Sequence, residues 1–274
     1  MPKFNYRTQK LIDEFSKKLD AIEKHWPMTS NYERYDPYIV PYVQCKQVFE
    51  FIIYHRESKE WFDCAVTDTI LTMITGANLI SDSEIIFDLG CNAGAMTVPM
   101  AALCARGGMV HSFDPYPWNA LATSFNAQLN GLSNVVTYPV GLSNRDYTIS
   151  VGKNDTRAFI TDETENAHEI TIHNFSRYKN LNPTFLKIDI EGSEHDLFSG
   201  GDHDHEKFKS VKAFALEFHP FWIRPRGIDP KLSLKGMQDS GFDLSYYHPN
   251  GAPFDVDTYH DDQHLFWGKA TEKA

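Results

Sequence analysis

Several kinds of signal are scarce or missing in this 274-residue chain, and each absence removes a class of function. No segment approaches the roughly 20 consecutive apolar residues that a bilayer crossing needs, so no membrane role is expected. The cysteines, at 45, 64, 91 and 104, have neither CxxC spacing nor the density of a disulfide scaffold, which leaves reduced, buried or half-buried thiols as the expectation. The opening Met1-Pro-Lys-Phe-Asn-Tyr-Arg7 lacks the charged start, apolar middle and small-residue cleavage site of a secretory leader. Neither end carries a lipidation motif, and a cytoplasmic location is the default expectation. Positive charge is short as well. Against 37 Asp and Glu stand 26 Lys and Arg, a formal charge of −11, whereas gripping a phosphate backbone needs basic side chains that displace counterions. Nucleic acid is therefore not an expected partner. No internal repeat or low-complexity tract is visible, and nothing in the sequence speaks to oligomeric state.

What remains is the composition of a globular protein, 42% hydrophobic and 14% aromatic, in a chain long enough for one substantial α/β core plus an appendage. From Arg7 to Trp26 the apolar Leu11, Ile12, Phe15, Leu19, Ile22 and Trp26 recur at helical spacing until Pro27 ends the pattern. A Tyr- and Pro-rich stretch, Asn31 to Tyr38 with Pro41, reads as an ordered aromatic loop able to cover a pocket. Gln47 to Tyr54 fits a short strand or helix, and Phe62 to Leu79 fits a helix ending near Gly76. Residues 1–80 are thus expected to form a helical extension with a candidate lid, and 81–274 the main domain.

Beyond residue 80, short β-rich runs alternate with helical stretches: Ile85–Phe87, Met109–Phe113, Val135–Tyr138, Phe185–Ile188 and Ala213–Phe218. Such alternation predicts a parallel sheet of doubly wound, Rossmann-like α/β type. Two further runs, Asp243–Tyr247 and His264–Trp267, predict an antiparallel hairpin at the sheet edge.

The first of these strands runs into Asp88-Leu-Gly-Cys-Asn-Ala-Gly94. Glycine at 90 permits a sharp turn with close backbone approach, and a helix starting near Gly94 offers unpaired amides. Asp88, at the carboxyl end of that strand, is placed to hold a cationic amino group. Twenty residues past Gly94 the next strand ends in Phe113-Asp114-Pro115, where a carboxylate can accept the hydroxyls of a nucleoside ribose. Either signal alone fits an empty strand-to-helix turn; together they point to a nucleoside ligand. An NAD enzyme of Rossmann type is the nearest competitor, but its G-x-G-x-x-G needs a glycine to admit pyrophosphate where this chain has Asn92.

Four stretches between Glu84 and Pro220 resemble the FkbM-type methyltransferases, a branch of the class I S-adenosylmethionine (SAM)-dependent enzymes. Ile85 to Gly94 resembles D-[VL]-G-A-N-x-G; His111-Ser-Phe-Asp-Pro115 resembles A-F-E-P; Asn126 to Asn134 with Val140-Gly-Leu-Ser143 resembles L-x-x-N-x-x-L-N-G and A-[VL]-S. Most specific is Phe185-Leu-Lys-Ile-Asp-Ile-Glu-Gly-Ser-Glu194, close to K-I-D-[VI]-E-G-[AS]-E. Cys91 and Asp114 depart from the usual alanine and glutamate, and residues 1–80 match nothing in the pattern. The resemblance implies a seven-stranded, mostly parallel sheet, with SAM across the carboxyl ends of the first strands. Asp88, Gly90, Asn92 and Gly94 would then face its methionine part, Asp114 and Pro115 the ribose, and Leu142 and Ser143 the adenine, with Trp118 as a candidate stacking ring.

Methyl transfer from a sulfonium is an in-line displacement, so the protein must align the acceptor and, for a hydroxyl, manage its proton. Lys187, Asp189 and Glu191 on one strand end and Glu217 and His219 on its neighbour share faces by their spacing of two. His219 or Glu217 is the expected general base, with Asp189 and Lys187 beside it; Glu194 fits a helix N-terminus. Asp189, Glu191, Glu217 and His219 could also offer ligands to a divalent metal, yet metal-free chemistry is the expectation. The histidines of Asp202-His-Asp-His205 and His260 to His264 read as solvated loops. Asp114-Pro-Tyr-Pro117 has the look of the D-P-P-Y of adenine N-methyltransferases, but it follows the second strand rather than the fourth. The expected activity is O-methylation of a small-molecule, sugar or glycan hydroxyl, and the alternative from another class is a degenerate SAM-binding scaffold.

Overall fold

The N-terminal residues form a helix and a β-hairpin, in a computed structural model that describes residues 5–25, 34–44, 46–55, 65–151, 168–199, 204–247 and 254–271. Helix α1 (Tyr6–Glu23) starts where the Asn5 side chain accepts the Thr8 amide at 3.0 Å, and it buries Ile12, Phe15 and Leu19 at the predicted spacing. Trp26, Pro27 and Cys45 lie outside the described residues. From Arg34 onward the aromatic stretch is not a loop: β1 (Arg34–Gln44) pairs antiparallel with β2 (Gln47–His55), while residues 31–33 lie outside the described residues. Its prolines are compatible with a strand because, among the described residues, β1 has β2 as its one sheet neighbour, and an edge strand tolerates residues without an amide hydrogen. The pairing also shifts register between Arg34 and Tyr38, around Pro37. Helix α2 (Ala65–Gly76) ends at the expected glycine; Phe62 to Cys64 lie outside the described residues.

The main domain follows as β3 (Ile85–Leu89), α3 (Thr97–Leu103), β4 (Met109–Phe113), α4 (Pro117–Leu129) and β5 (Val135–Tyr138). Next come β6 (Gly141–Ser143), β7 (Tyr147–Val151), β8 (His168–Asn174), β9 (Phe185–Ile188) and α5 (Glu194–Phe198). The chain closes with β10 (Ala213–Glu217), α6 (Pro220–Ile223), α7 (Pro230–Asp239), β11 (Phe242–Tyr246) and β12 (Leu265–Ala270). The large sheet has the order β11-β12-β10-β9-β3-β4-β5, parallel from β5 to β10. β12 runs antiparallel to both its neighbours, so the expected C-terminal hairpin exists with β12 inside the sheet and β11 at the edge. The seven-stranded, mostly parallel sheet implied by the resemblance is present. Strands β6, β8 and β7 form a separate three-stranded sheet that the sequence reading did not anticipate.

Alternate residues of the central strands serve two faces. Phe87, Leu89, Leu186, Ile188, Phe214 and Leu216 feed one core cluster; Ile86, Val110, Phe185, Ala213 and Ala215 feed the other. Each large side chain so buried contributes about 1.5–3 kcal/mol before entropy is subtracted. A third cluster joins α1 and β2 to α4 and the small sheet through Phe15, Tyr54, Phe125 and Ile170. Asn126 on α4 and Asn130 at its C-cap serve the β2 backbone. The Ile52 amide donates to Asn126 Oδ1 at 2.7 Å, and Glu50 exchanges two bonds with Asn130, at 2.9 and 2.7 Å. Among the described residues no helix is long and apolar enough to cross a membrane.

Candidate functional site

From β3 the chain winds outward through β4 to β5, then returns to lay β9 on the other side of β3. Such a reversal opens a crevice at the carboxyl ends of the strands, and there lies a cavity open to solvent. Its walls come from the turns after β3, β4 and β9 and from β6, with Thr67 of α2 and Tyr147 and Ile172 of the small sheet.

The turn after β3 fits against the turn after β9. Gly90 has φ +77°, and a Cβ there would stand 1.7 Å from the Asp189 carbonyl oxygen, so no other residue allows the two turns to touch. Every amide from 90 to 94 is engaged within the protein. Gly90 and Cys91 donate to the Phe113 carbonyl, Asn92 to Asp114 Oδ2 at 2.9 Å, Ala93 to the Asn92 side chain and Gly94 to the Cys91 carbonyl. Helix α3 spans Thr97–Leu103, and the Gly94 carbonyl already accepts the Val98 amide at 3.0 Å, so the helix expected just after Gly94 is present. A pyrophosphate cradle needs free amides, and this loop presents none.

Asp88 is fully buried. Thr97 Oγ1 donates to its Oδ2 at 2.5 Å and the Lys187 ammonium lies 3.3 Å from its Oδ1, so it stands behind the cavity wall. Lys187 also donates to the Gly90 carbonyl at 2.8 Å and to Asp189 Oδ2 at 3.2 Å, joining the two turns. Burial opposes its charge, but Asp189 and Asp88 outweigh burial and raise its pKa above the ordinary lysine value. Gly94 packs on Thr123 rather than lining the cavity.

Asp114, 5% exposed, lines the cavity. Its Oδ1 accepts the Tyr116 amide at 2.9 Å and Asn119 Nδ2 at 3.1 Å, while Oδ2 accepts only the Asn92 amide among the described residues. A carboxylate oxygen has about two acceptor sites; Oδ1 is filled and Oδ2 keeps one. Burial pushes the Asp114 carboxyl up to about 6, against those three hydrogen bonds and the Lys187 charge. Of the residues assigned to the ligand by the resemblance, Pro115 and Leu142 line the wall, whereas Ser143 is buried in β6 and does not line it. The candidate stacking ring Trp118 belongs to the core, and Tyr116, stacked on it at 5.0 Å, takes the wall position.

The carboxylates after β9 converge on His219. Its Nδ1 lies 3.1 Å from Glu194 Oε1, and its Nε2 lies 3.7 Å from Glu217, 3.8 Å from Glu191 and 3.9 Å from Asp189. The period-two spacing does not make this arrangement, because β9 ends at Ile188 and Glu191 and Gly192 adopt φ of +51° and +90°. At Gly192 a Cβ would meet Trp222 at 2.5 Å, which fixes the turn beneath α6. Lys187, Asp189 and Glu191 face the cavity; Glu217 and His219 stand one layer behind. Glu194 does begin α5, yet it is fully buried and holds the imidazole.

Burial would keep His219 neutral, but Glu194, Glu217 and Asp189 raise its pKa well above the ordinary histidine value. Burial lifts the Glu191 carboxyl to about 7; His219 opposes this, while Asp189, Glu194 and Glu217 add to it. Asp189, Glu191 and His219 also form the one cluster with metal-ligand spacing among the described residues, with ligand atoms within 4.8 Å of one another and Glu217 outside it. A protonated imidazole has no lone pair for a metal, so as an imidazolium His219 acts as a counter-cation. Of the cysteines, Cys91 and Cys104 are free and buried; burial, with Asp114 and Asp88, raises the Cys91 thiol well above its ordinary value.

The family model of the methyltransferase FkbM domain matches residues 88–238, more than half of the chain. No curated protein matches. Similar solved structures include a SAM-dependent O-methyltransferase from Thermotoga maritima, 13% identical at a TM-score of 0.42, covering 86% of this chain and 78% of that one. Magnesium protoporphyrin IX methyltransferase from Synechocystis PCC 6803, solved with bound SAM, is 12% identical at a TM-score of 0.41 over 78% and 80%. Fibrillarin from Aeropyrum pernix, with natively bound S-adenosyl-L-methionine, is 10% identical at 0.40 over 89% and 86%.

Proposed function

The chain belongs to the FkbM-domain methyltransferases, and on that premise we propose that it methylates a hydroxyl of a small molecule, sugar or glycan with S-adenosylmethionine as donor. The observation that carries the cofactor reading is the closed loop at 90–94 beside Asp114. The loop has no amides to spare for phosphate, while Asp114 Oδ2 keeps one acceptor site toward the cavity, as a phosphate-free nucleoside requires.

When bound, SAM supplies an electrophilic methyl group on a cationic sulfur. Asn92, Asp114, Pro115, Tyr116 and Leu142 would hold it, and the acidic lining suits its positive charge. Asp88 and Gly94 act from behind the wall, Asp88 by anchoring Lys187, which fixes the Gly90 carbonyl. On the acceptor side, Glu191 faces the cavity with a carboxyl poised near neutrality, where a general base works best. Asp189 orients the acceptor beside it. His219 and Glu217 act through these two carboxylates: the imidazolium draws them together and sets how readily Glu191 takes a proton.

Calorimetry tests the cofactor reading: S-adenosylhomocysteine should bind in the micromolar range and NAD should not bind. The reverse preference would refute it. A methyl-labelled donor offered hydroxyl and amine acceptors tests the acceptor reading, which fails if label reaches only nitrogen.

A further inference from the structure

The cavity carboxylate is tied to a part of the chain outside the matched family region. Asn119 donates from Nδ2 to Asp114 Oδ1 at 3.1 Å, and its own carbonyl Oδ1 accepts the Tyr54 hydroxyl at 3.1 Å. Asp114, Asn119 and Tyr54 are 5%, 4% and 0% exposed, so these bonds lie at the inner wall of the cavity, largely shielded from bulk water. Tyr54 belongs to β2 and is held from several sides. Phe15 of α1 packs against its ring at 5.4 Å, and its strand is fastened to α4 through Ile52 and Asn126. Asn126 in turn donates to the Ala93 carbonyl at 2.7 Å, inside the loop at 90–94. The hairpin is therefore linked to the cavity wall through Asn119 and to the loop at 90–94 through Asn126.

A side-chain amide has two ends of opposite polarity, and its neighbours decide which faces where. With the Tyr54 hydroxyl donating to Oδ1, the amide hydrogens of Asn119 face Asp114. Without that hydroxyl, Oδ1 loses a buried donor, and among the described residues the Asn119 side chain is held by Asp114 alone, so the geometry of its bond to Oδ1 is less tightly fixed.

From this relay we infer that Tyr54 is a positioning residue for the ribose site: by orienting Asn119 it saturates Asp114 Oδ1 and leaves Oδ2 to accept a single ribose hydroxyl. The inference rests on the cofactor reading proposed above and extends it in two ways. It brings the N-terminal hairpin into the cofactor site, and it replaces the two-hydroxyl grip expected from the sequence with a one-hydroxyl grip.

Calorimetry on the full chain with S-adenosylhomocysteine and its 2′-deoxy and 3′-deoxy analogues tests this. For the unmodified protein, removal of one hydroxyl should weaken binding about tenfold or more, and removal of the other less than about threefold. In Tyr54→Phe, affinity for the parent compound should fall roughly three- to tenfold and the penalty for the sensitive hydroxyl should shrink, with the melting temperature lowered by several degrees while the protein stays folded at the assay temperature. Asn119→Ala should show the same pattern more strongly; if it fails to fold, Tyr54→Phe still decides. Equal penalties for both hydroxyls, or a Tyr54→Phe protein that ranks the three ligands as the unmodified protein does, would overturn the inference while leaving the cofactor reading intact. Failure of the unmodified protein to bind S-adenosylhomocysteine at all would overturn the cofactor reading and this inference with it.

Discussion

If Glu191 takes the proton of an acceptor hydroxyl, the rate of methyl transfer follows its ionised fraction. With its carboxyl at about 7, roughly one-tenth is ionised at pH 6 and nine-tenths at pH 8, so the single-turnover rate should rise about ninefold between them and level off above. The assay is transfer of a labelled methyl group to a hydroxyl acceptor at saturating donor. Neighbouring charges give the profile a signature that a generic acidic limb lacks. Asp189 raises the Glu191 carboxyl by like-charge repulsion, so Asp189→Asn should move the midpoint toward acid. His219 lowers it, so His219→Gln should move the midpoint toward base. Glu191→Gln should cost about 10²- to 10⁴-fold in rate and flatten what remains. A profile with no rise across pH 6–8, or midpoints that move the same way in the two neighbouring variants, would refute the reasoning.

Cofactor affinity should depend on pH through Asp114, whose ionised form is the better acceptor: S-adenosylhomocysteine should bind up to about tenfold more weakly at pH 5 than at pH 7, with the break near 6; constant affinity in calorimetry over that range would remove Asp114 from the site. Asp114→Ala should weaken binding by about 1.5–3 kcal/mol through loss of a charge-assisted hydrogen bond. Gly90→Ala should cost more than about 3 kcal/mol in urea unfolding, since its Cβ would overlap the Asp189 carbonyl; a variant of unchanged stability would mean that the two turns do not meet. His55, held near 3 by burial, titrates near 6.5 when unfolded, so its neutral ring contributes stability above 6.5 that is lost as pH falls toward 3, by at most about 1.4 kcal/mol per pH unit. His55→Gln should flatten that decline in urea midpoints, against the opposite trend of Asp114, whose raised carboxyl favours folding as pH falls from about 6 to 4.

The parts of this molecule that were legible in its sequence are those whose physics is local. A strand, a glycine turn and a carboxylate at the next strand end lie within thirty residues of Asp88; their spacing pointed to Gly90 and Asp114 and the resemblance added Asn92, whereas Asp88 and Gly94, expected beside them, do not line the cavity. What was misread depends on contacts far apart in the chain. Pro37 and Pro41 argue against a strand until β1 is known to pair, among the described residues, on one side only. Tyr147 and Ile172 line the cavity because β6, β7 and β8 fold into a sheet of their own; the alternation in His168–Asn174 was the available signal. Tyr116, not Trp118, reaches the wall, since Pro117 starts α4 and turns the next side chain into the core.

The acceptor half shows how a correct grouping can arise from an incorrect geometry. Period-two spacing put Lys187, Asp189 and Glu191 on one face of a strand, but the strand stops at Ile188 and two consecutive left-handed residues swing Glu191 around. A continued strand would have carried Glu191 away from Gly90. Instead Lys187 holds Asp88, Asp189 and the Gly90 carbonyl at once, so the turn after β3 in the cavity wall and the turn that presents Glu191 are pinned by one ammonium. Lys187→Met should accordingly leave Asp88 as a buried carboxylate without its cation, a change that costs about 3–5 kcal/mol when one partner of a buried pair is removed. Cofactor affinity and the pH midpoint set by Glu191 should be disturbed together, whereas a protein in which only one of them changed would show that the two turns are independent.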